Sequence, residues 1–245
     1  SYDMNNNWNF YANYAKGRRS PVVNADASGV TVTKAEIVDS YDLGVKYQSP
    51  NFTFTGAVFT YQYSDYQQSY TDAETLQSIT VTVGDSTMSG IEGMATYHYS
   101  DTLSFTTSLG FLDAEFADDT ADGTPFQYGG NKFRLAPEVS GAININKLVE
   151  MDNWLLDFNW LTSFQSKVYF ESSNYPGLWQ DTYSLTDVSM KVSKDNSPFA
   201  FELYVDNLLD KEYLIDAGNT GGGLGIPTFV RGMPRIAGVR LYYDF

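Results

Sequence analysis

The feature that most constrains this chain is a period of two. Ten segments set large apolar side chains against small or polar ones at alternate positions, which is the pattern of a strand with two unlike faces. Trp8, Phe10, Ala12 and Tyr14 alternate with Asn7, Asn9, Tyr11 and Asn13, and Tyr41, Leu43, Val45 and Tyr47 stand against Asp42, Gly44, Lys46 and Gln48. From Phe52 to Tyr63 both faces are apolar, so the period gives a strand without its facing. Ile91, Gly93, Ala95, Tyr97 and Tyr99 oppose Glu92, Met94, Thr96 and His98. Leu103, Phe105, Thr107, Leu109 and Phe111 share the next face, and Leu135, Val139, Ile143 and Ile145 the one after. The clearest case sets Trp154, Leu156, Phe158, Trp160 and Phe164 against Asp157, Asn159, Ser163 and Gln165. Val188/Met190/Val192, Phe199/Phe201/Leu203/Val205 and Ala237/Val239/Leu241/Tyr243/Phe245 complete the ten. No segment longer than a turn or two reads as an amphipathic helix.

The connections alternate in length. Long ones fall near residues 17–33, 68–85, 118–131, 172–182 and 212–234, and short ones at 49–51, 100–101, 147–152 and 194–197. Turn formers such as Ser49-Pro50-Asn51 and Asp195-Asn196-Ser197-Pro198 occupy the short ones. An up-and-down antiparallel sheet with tight turns at one end and long loops at the other is the layout of an outer-membrane β-barrel. A soluble sandwich or jelly roll also alternates, but its apolar face would be Val, Ile and Leu packed inward. Here that face carries Trp154, Trp160, Tyr97, Tyr99, Tyr243 and Phe245 toward strand ends, as interfacial girdles do. The other face is small and polar, with isolated charges at Arg134, Glu138, Asp157, Asp187, Lys191, Glu202, Asp206 and Arg240, and suits a watery or plugged lumen.

Composition removes several chemistries. There is no Cys, which excludes disulfide scaffolds, thiol catalysis and Cys-ligated metals, and one His, which leaves little for a triad or a multi-His site. Fifteen basic residues against 30 acidic ones, with no basic cluster beyond Arg18-Arg19, argue against a nucleic-acid partner. No apolar run reaches the ~18–20 residues of a spanning helix. His98 sits beside the short turn at Ser100-Asp101 with no orienting partner, and reads as structural rather than catalytic. Asp113, Glu115, Asp118, Asp119 and Asp122 could offer oxygens to calcium but lack EF-hand spacing, so a solvated loop is expected and no metal site. The run Gly221-Gly222-Gly223 with Gly225 has no following Lys-Ser/Thr and opens no helix, so it is read as a loop rather than a phosphate cradle, and no cofactor is expected.

Several stretches carry a more specific signal. Val205-Asp206-Asn207-Leu208-Leu209-Asp210-Lys211-Glu212-Tyr213, then Gly225-Ile226-Pro227-Thr228-Phe229, Gly232-Met233-Pro234-Arg235 and the final Ala237-Gly238-Val239-Arg240-Leu241-Tyr242-Tyr243-Asp244-Phe245 stand in order. Upstream lie Tyr14-Ala15-Lys16-Gly17-Arg18-Arg19-Ser20-Pro21, Tyr41-Asp42-Leu43-Gly44-Val45-Lys46-Tyr47 and Leu112-Asp113-Ala114-Glu115-Phe116. Together they resemble the carboxy-terminal half of the barrel in TonB-dependent outer-membrane receptors. The departure is in the Arg18-Arg19 pair, where Arg19 breaks the usual order around the Phe of the family's "YxxGFRSP" run.

The resemblance implies an all-β transmembrane barrel of which residues 1–245 supply about ten strands, the last ten of 22. At about 24.5 residues per strand the whole barrel would need roughly 540. It also implies partners: the missing amino-terminal strands, a plug domain, the TonB complex acting through that missing part, outer-membrane lipid, the barrel-assembly machinery and a small solute. The function implied is uptake of a scarce solute energised through TonB, with a ferric siderophore first and cobalamin or an oligosaccharide next. Arg18, Arg19, Tyr70, Tyr128, Tyr175, Trp179 and Arg231 are the loop residues expected to touch it, through rings and guanidinium groups. Val239, Leu241, Tyr243 and Phe245 form the apolar face of the last strand, expected to act as an assembly signal. The alternative is a self-contained ten-strand barrel acting as an enzyme or adhesin; an open sheet would instead leave long apolar edges at Trp8–Tyr14 and Ala237–Phe245.

Overall fold

The computed structural model describes residues 1–26, 29–71, 77–117, 128–218 and 227–244, apart from the side chains of Asp26, Tyr70 and Thr71. Its strands in chain order are β1 (Tyr2–Asp3), β2 (Trp8–Arg19), β3 (Val23–Asp26), β4 (Gly29–Val32), β5 (Glu36–Gln48) and β6 (Phe52–Thr71). β7 (Ser78–Ser100), β8 (Leu103–Phe116), β9 (Val139–Met151), β10 (Trp154–Gln165), β11 (Val168–Tyr169) and β12 (Trp179–Gln180) follow. The last are β13 (Tyr183–Lys194), β14 (Phe199–Asp206), β15 (Leu214–Ala217), β16 (Phe229–Arg231) and β17 (Ile236–Tyr243). Eleven of them form one antiparallel sheet in the order β1-β2-β5-β6-β7-β8-β9-β10-β13-β14-β17, each long strand beside its neighbour in sequence. All ten expected strands are present; the eleventh, β1, pairs only at Phe10 and Asn9 of β2. The two edges do not meet, so the closed ten-strand barrel is not the form this chain takes.

Register fixes the two faces. Trp8, Leu43, Val58, Ile91, Leu109, Ile143, Trp160, Met190, Leu203 and Val239 all fall on one side, because directly paired residues of neighbouring strands share a face. The ambiguity over Phe52 to Tyr63 is resolved by pairing: Phe52, Phe54 and Val58 join the outer face, and Phe59, Tyr61 and Tyr63 the inner one. Gly44 lies beneath the ring of Tyr11, which leaves no room for a Cβ there. That close approach is a physical reason for the glycine in the Tyr41–Tyr47 stretch.

The tight turns lie at residues 49–51, 101–102, 152–153 and 195–198, with residues 4–7 making a fifth at the same end. At that first turn Asn5 Oδ1 accepts from the backbone N–H groups of Asn7 and Trp8, at 2.8 and 3.0 Å. The long connections are more ordered than their composition suggests. Strand β2 runs through Arg19, and much of the expected loop 68–85 is strand, since β6 and β7 are 20 and 23 residues long. A spanning barrel strand needs only ~9–11 residues, so this hairpin stands well beyond the membrane. Leu135 is not part of β9; it has φ 55° and precedes the strand. Arg134 and Glu138 likewise lie in the connection and not on the inner wall.

Candidate functional site

The candidate site is the end of the sheet that bears the long connections. Nearly all of the described buried residues lie there, and the apolar ones other than Ala200 form two small cores. The first contains Val83, Ala114, Phe116, Tyr128 and Phe133, with Tyr66, Val81, Met88, Leu112 and Ala136 around it. Phe116 is its centre, with ring centroids 4.6 Å from Phe133, 5.4 Å from Tyr128 and 5.7 Å from Tyr66. Ala114 and Phe116 have the inner-face parity of β8, so the connection after β8 folds over the lumen side of the tall β6–β7 hairpin. The second core joins β11, β12 and β15 through Val168, Phe170 and Ala217, flanked by Leu178 and Leu214.

Side-chain amides splice these connections together by imitating strand edges. Asn174 Oδ1 accepts from the Lys132 N–H at 2.8 Å, while its Nδ2 donates to the Lys132 carbonyl at 2.9 Å. Asn24 does the same for Thr80, at 3.0 and 2.7 Å. Gln67, buried in β6, donates from Nε2 to the carbonyls of Ser20 and Lys34 and from its backbone to Glu36 Oε2, tying the β2–β5 connection down. The backbone N–H of Leu214 donates to Gln180 Oε1 at 2.6 Å. Lys132 reaches outward to Asp113, Glu115 and Glu138. Desolvation disfavours its charge, but the hydrogen bonds it donates to the three carboxylates outweigh this and hold the ammonium above its usual range. Two members of the acidic run are thereby engaged by a lysine; Asp118, Asp119 and Asp122 lie outside the described residues.

Between β14 and β17 the family-like motif is a knot of hydrogen bonds. Asn207, buried and at φ 50°, donates to the carbonyls of Lys211 and Met233 and accepts from the Lys211 N–H at 2.8 Å. Its own N–H donates to Asp187 Oδ1 at 2.7 Å. Asp210 accepts from the Arg235 N–H and pairs with the Arg235 guanidinium at 3.6 Å, and the ring of Tyr213 covers Gly232. The Asn207–Tyr213 and Gly232–Arg235 stretches thus hold each other. On the inner wall below them, Glu202 accepts from Arg240 at 3.1 Å and from the Tyr242 hydroxyl, and Arg240 lies 3.8 Å over the Tyr204 ring.

The structure scatters the expected ligand contacts. Arg18 and Arg19 end β2 on opposite faces; Arg18 shares the outer face with Trp8, while Arg19 turns inward to the Gln67 carbonyl at 3.2 Å and Glu36 at 3.9 Å. The backbone of Tyr70 lies in β6, but its side chain is outside the described residues. Tyr128 is buried in the first core. Tyr175 is exposed, Trp179 is half-buried against Tyr169, and Arg231 in β16 is exposed near Glu212. Val239, Leu241 and Tyr243 do share the outer face of β17, whereas Phe245 and the glycine run at 221–223 and 225 lie outside the described residues. His98 is inward beside Thr96 near the tight turns, remote from the long connections. Sequence reasoning missed Phe116, Phe133, Gln67 and Asn174, and Lys167 just before β11, and no local signal marks them.

A family model described as TonB dependent receptor-like, beta-barrel matches residues 1–208. The pesticin receptor of Yersinia pestis is 23% identical over 218 residues, covering 86% of this chain and 30% of that protein. Among solved structures, the ferric yersiniabactin uptake receptor from Yersinia pestis aligns with TM-score 0.83 at 22% identity, over 100% of this chain and 36% of its own. The ferric preacinetobactin receptor from Acinetobacter baumannii gives 0.75 at 19%, over 99% and 35%. The chain therefore spans about a third of the length of these relatives, and the structural likeness, at such identities, speaks for the fold.

Proposed function

We propose, because the chain belongs to the TonB-dependent receptor family of β-barrels, that it forms the carboxy-terminal part of the barrel of an active-transport receptor for a ferric siderophore. It is a bacterial outer-membrane protein, and its family is one of transport receptors rather than enzymes. In this reading residues 1–245 give wall and external loops, while the remaining strands, the plug domain and the TonB box come from polypeptide outside them. Ligand meets the organised external end, with Tyr175, Trp179 and Arg231 as the exposed or half-exposed contacts. Tyr128 acts from within the first core, and Arg19 by holding the β6 extension. TonB then supplies the energy through the plug. The Val239, Leu241 and Tyr243 face of β17, with Phe245, serves as the signal for barrel assembly.

One observation carries this reading: the long connections are packed into one built end, above a wall whose inner face is polar, in the arrangement of relatives named for ferric siderophore uptake. Those names favour iron over cobalamin or an oligosaccharide. The test is uptake of radiolabelled iron, offered as a panel of ferric siderophores, by cells expressing the full-length receptor with and without TonB. Accumulation that needs both receptor and TonB is the expected result. No receptor-dependent iron accumulation, with uptake of cobalamin or a glycan in its place, overturns the substrate class.

A further inference from the structure

Positive charge is scarce in this chain, and at the external end most of it is spent. Lys34 is paired with Asp65, Lys132 with three carboxylates, Arg231 with Glu212 and Arg235 with Asp210. Lys167, just after β10, is different. Its Nζ lies 4.0 Å from the centroid of the Trp179 ring, 4.5 Å from that of Tyr169 and 3.2 Å from the Tyr169 hydroxyl oxygen. Among the described residues no carboxylate stands within ion-pairing distance of it.

The group is held rigidly yet open. Tyr169 and Trp179 are directly paired across the β11–β12 hairpin, with rings 6.3 Å apart at 75°. Val168 and Phe170, next to Tyr169 on either side, are buried in the second core and anchor that hairpin. Lys167, Tyr169 and Trp179 are all half-buried, so each keeps a solvent-facing side. An ammonium against ring faces is attracted by their quadrupoles but has three donors, and the Tyr169 hydroxyl takes only one. A flat ring entering here gains stacking area, and a deprotonated oxygen on that ring gains a charge-assisted hydrogen bond. A neutral arene gains only the first, and a compact inorganic anion only the second.

We propose that Lys167, Tyr169 and Trp179 form a binding subsite for an aromatic ring bearing a deprotonated oxygen. The subsite deepens the transport reading and rests on it only for the claim that the bound group is carried inward. The test measures binding of the ferric 2-hydroxybenzoate complex and of a ferric trihydroxamate to the full-length receptor, by equilibrium dialysis with labelled iron. Lys167→Gln is expected to weaken the aromatic complex about tenfold or more, the size of a lost hydrogen bond to a charged group, while the hydroxamate is unaffected. Lys167→Arg should restore most of the affinity, and Trp179→Leu should lose it with the charge still present. Unchanged affinity in Lys167→Gln, equal loss for both complexes, or no binding of the aromatic complex by the unaltered receptor overturns the subsite. Lys167-dependent binding without TonB-dependent import would leave the subsite standing and remove the transport reading; import indifferent to Lys167 would do the reverse.

Discussion

The wall and the external end of this molecule solve burial in opposite ways. On the outer face of the wall, Leu43, Ile91, Leu109, Ile143, Leu203 and Val239 are each between 45% and 66% exposed, because their apolar surroundings are lipid. At the external end Val83, Phe116 and Phe170 are at most 2% exposed, because there the chain must supply its own cover. A wall residue therefore needs only the right parity, whereas an end residue needs specific neighbours from distant segments. The difference separates what a substitution can damage: assembly into the membrane in the first case, and the shape presented to a ligand in the second.

The largest effect that would sharpen this contrast is expected from Phe116→Ala. Truncating a buried aromatic costs about 3–5 kcal/mol, and here that loss falls on the core shared by Tyr66, Tyr128 and Phe133. Hydrogen exchange in the full-length receptor should show residues 128–138 losing protection while β9 and β10 keep theirs. Loss of protection throughout the sheet would break the contrast.

On the wall the comparison is between the faces of one strand. Ile143→Arg places a cation in lipid, at about 2–4 kcal/mol near the midplane, whereas Asn144→Arg on the same strand meets the lumen. Folding into lipid vesicles, followed by denaturant titration, should show a midpoint shift for the first and almost none for the second. Equal shifts would mean that the two faces do not have different solvents. A smaller and more local loss is expected from Asn207→Ala, which strips the partner from the Lys211 N–H and from two carbonyls. At about 1–3 kcal/mol, it should loosen residues 208–213 and 232–235 together in the same exchange experiment, and loosening of one stretch alone would contradict their mutual support.

The same division explains how much could be read from sequence. All ten long strands follow from period two, since Trp154 to Gln165 need only alternate to declare two faces. The facing of Phe52 to Tyr63 does not follow in the same way, because Phe59, Tyr61 and Tyr63 put rings on the inner face as well; only pairing with β5 and β7 separates the two faces. At the external end the break in period two reads as loops, and nothing in the sequence shows that Tyr128 is buried or that β2 runs on through Arg19. Nothing local distinguishes Asn174 from any other loop asparagine. Its role exists only once Lys132, 42 residues away, is beside it. The Asn207 motif was legible as a family likeness, but its reason is likewise tertiary.

The smallest effect tests whether the external end responds to pH independently of the wall. Burial raises the Glu171 carboxyl above its ordinary value, Arg134 opposes that shift and Asp216 adds to it. A carboxyl raised in the folded end favours the protonated form, so its contribution is fully present below the ordinary value and is lost as pH rises through the raised one. Protection of residues 168–180 should therefore be greater at pH 4 than at pH 7, with the β10 amides unchanged. In Glu171→Gln this pH difference should shrink, because the amide stays neutral across the window. If the variant retains the full difference, the response belongs to other groups of the end. If the β10 amides follow the same curve, the end and the wall are one cooperative unit in pH, however differently their side chains are buried.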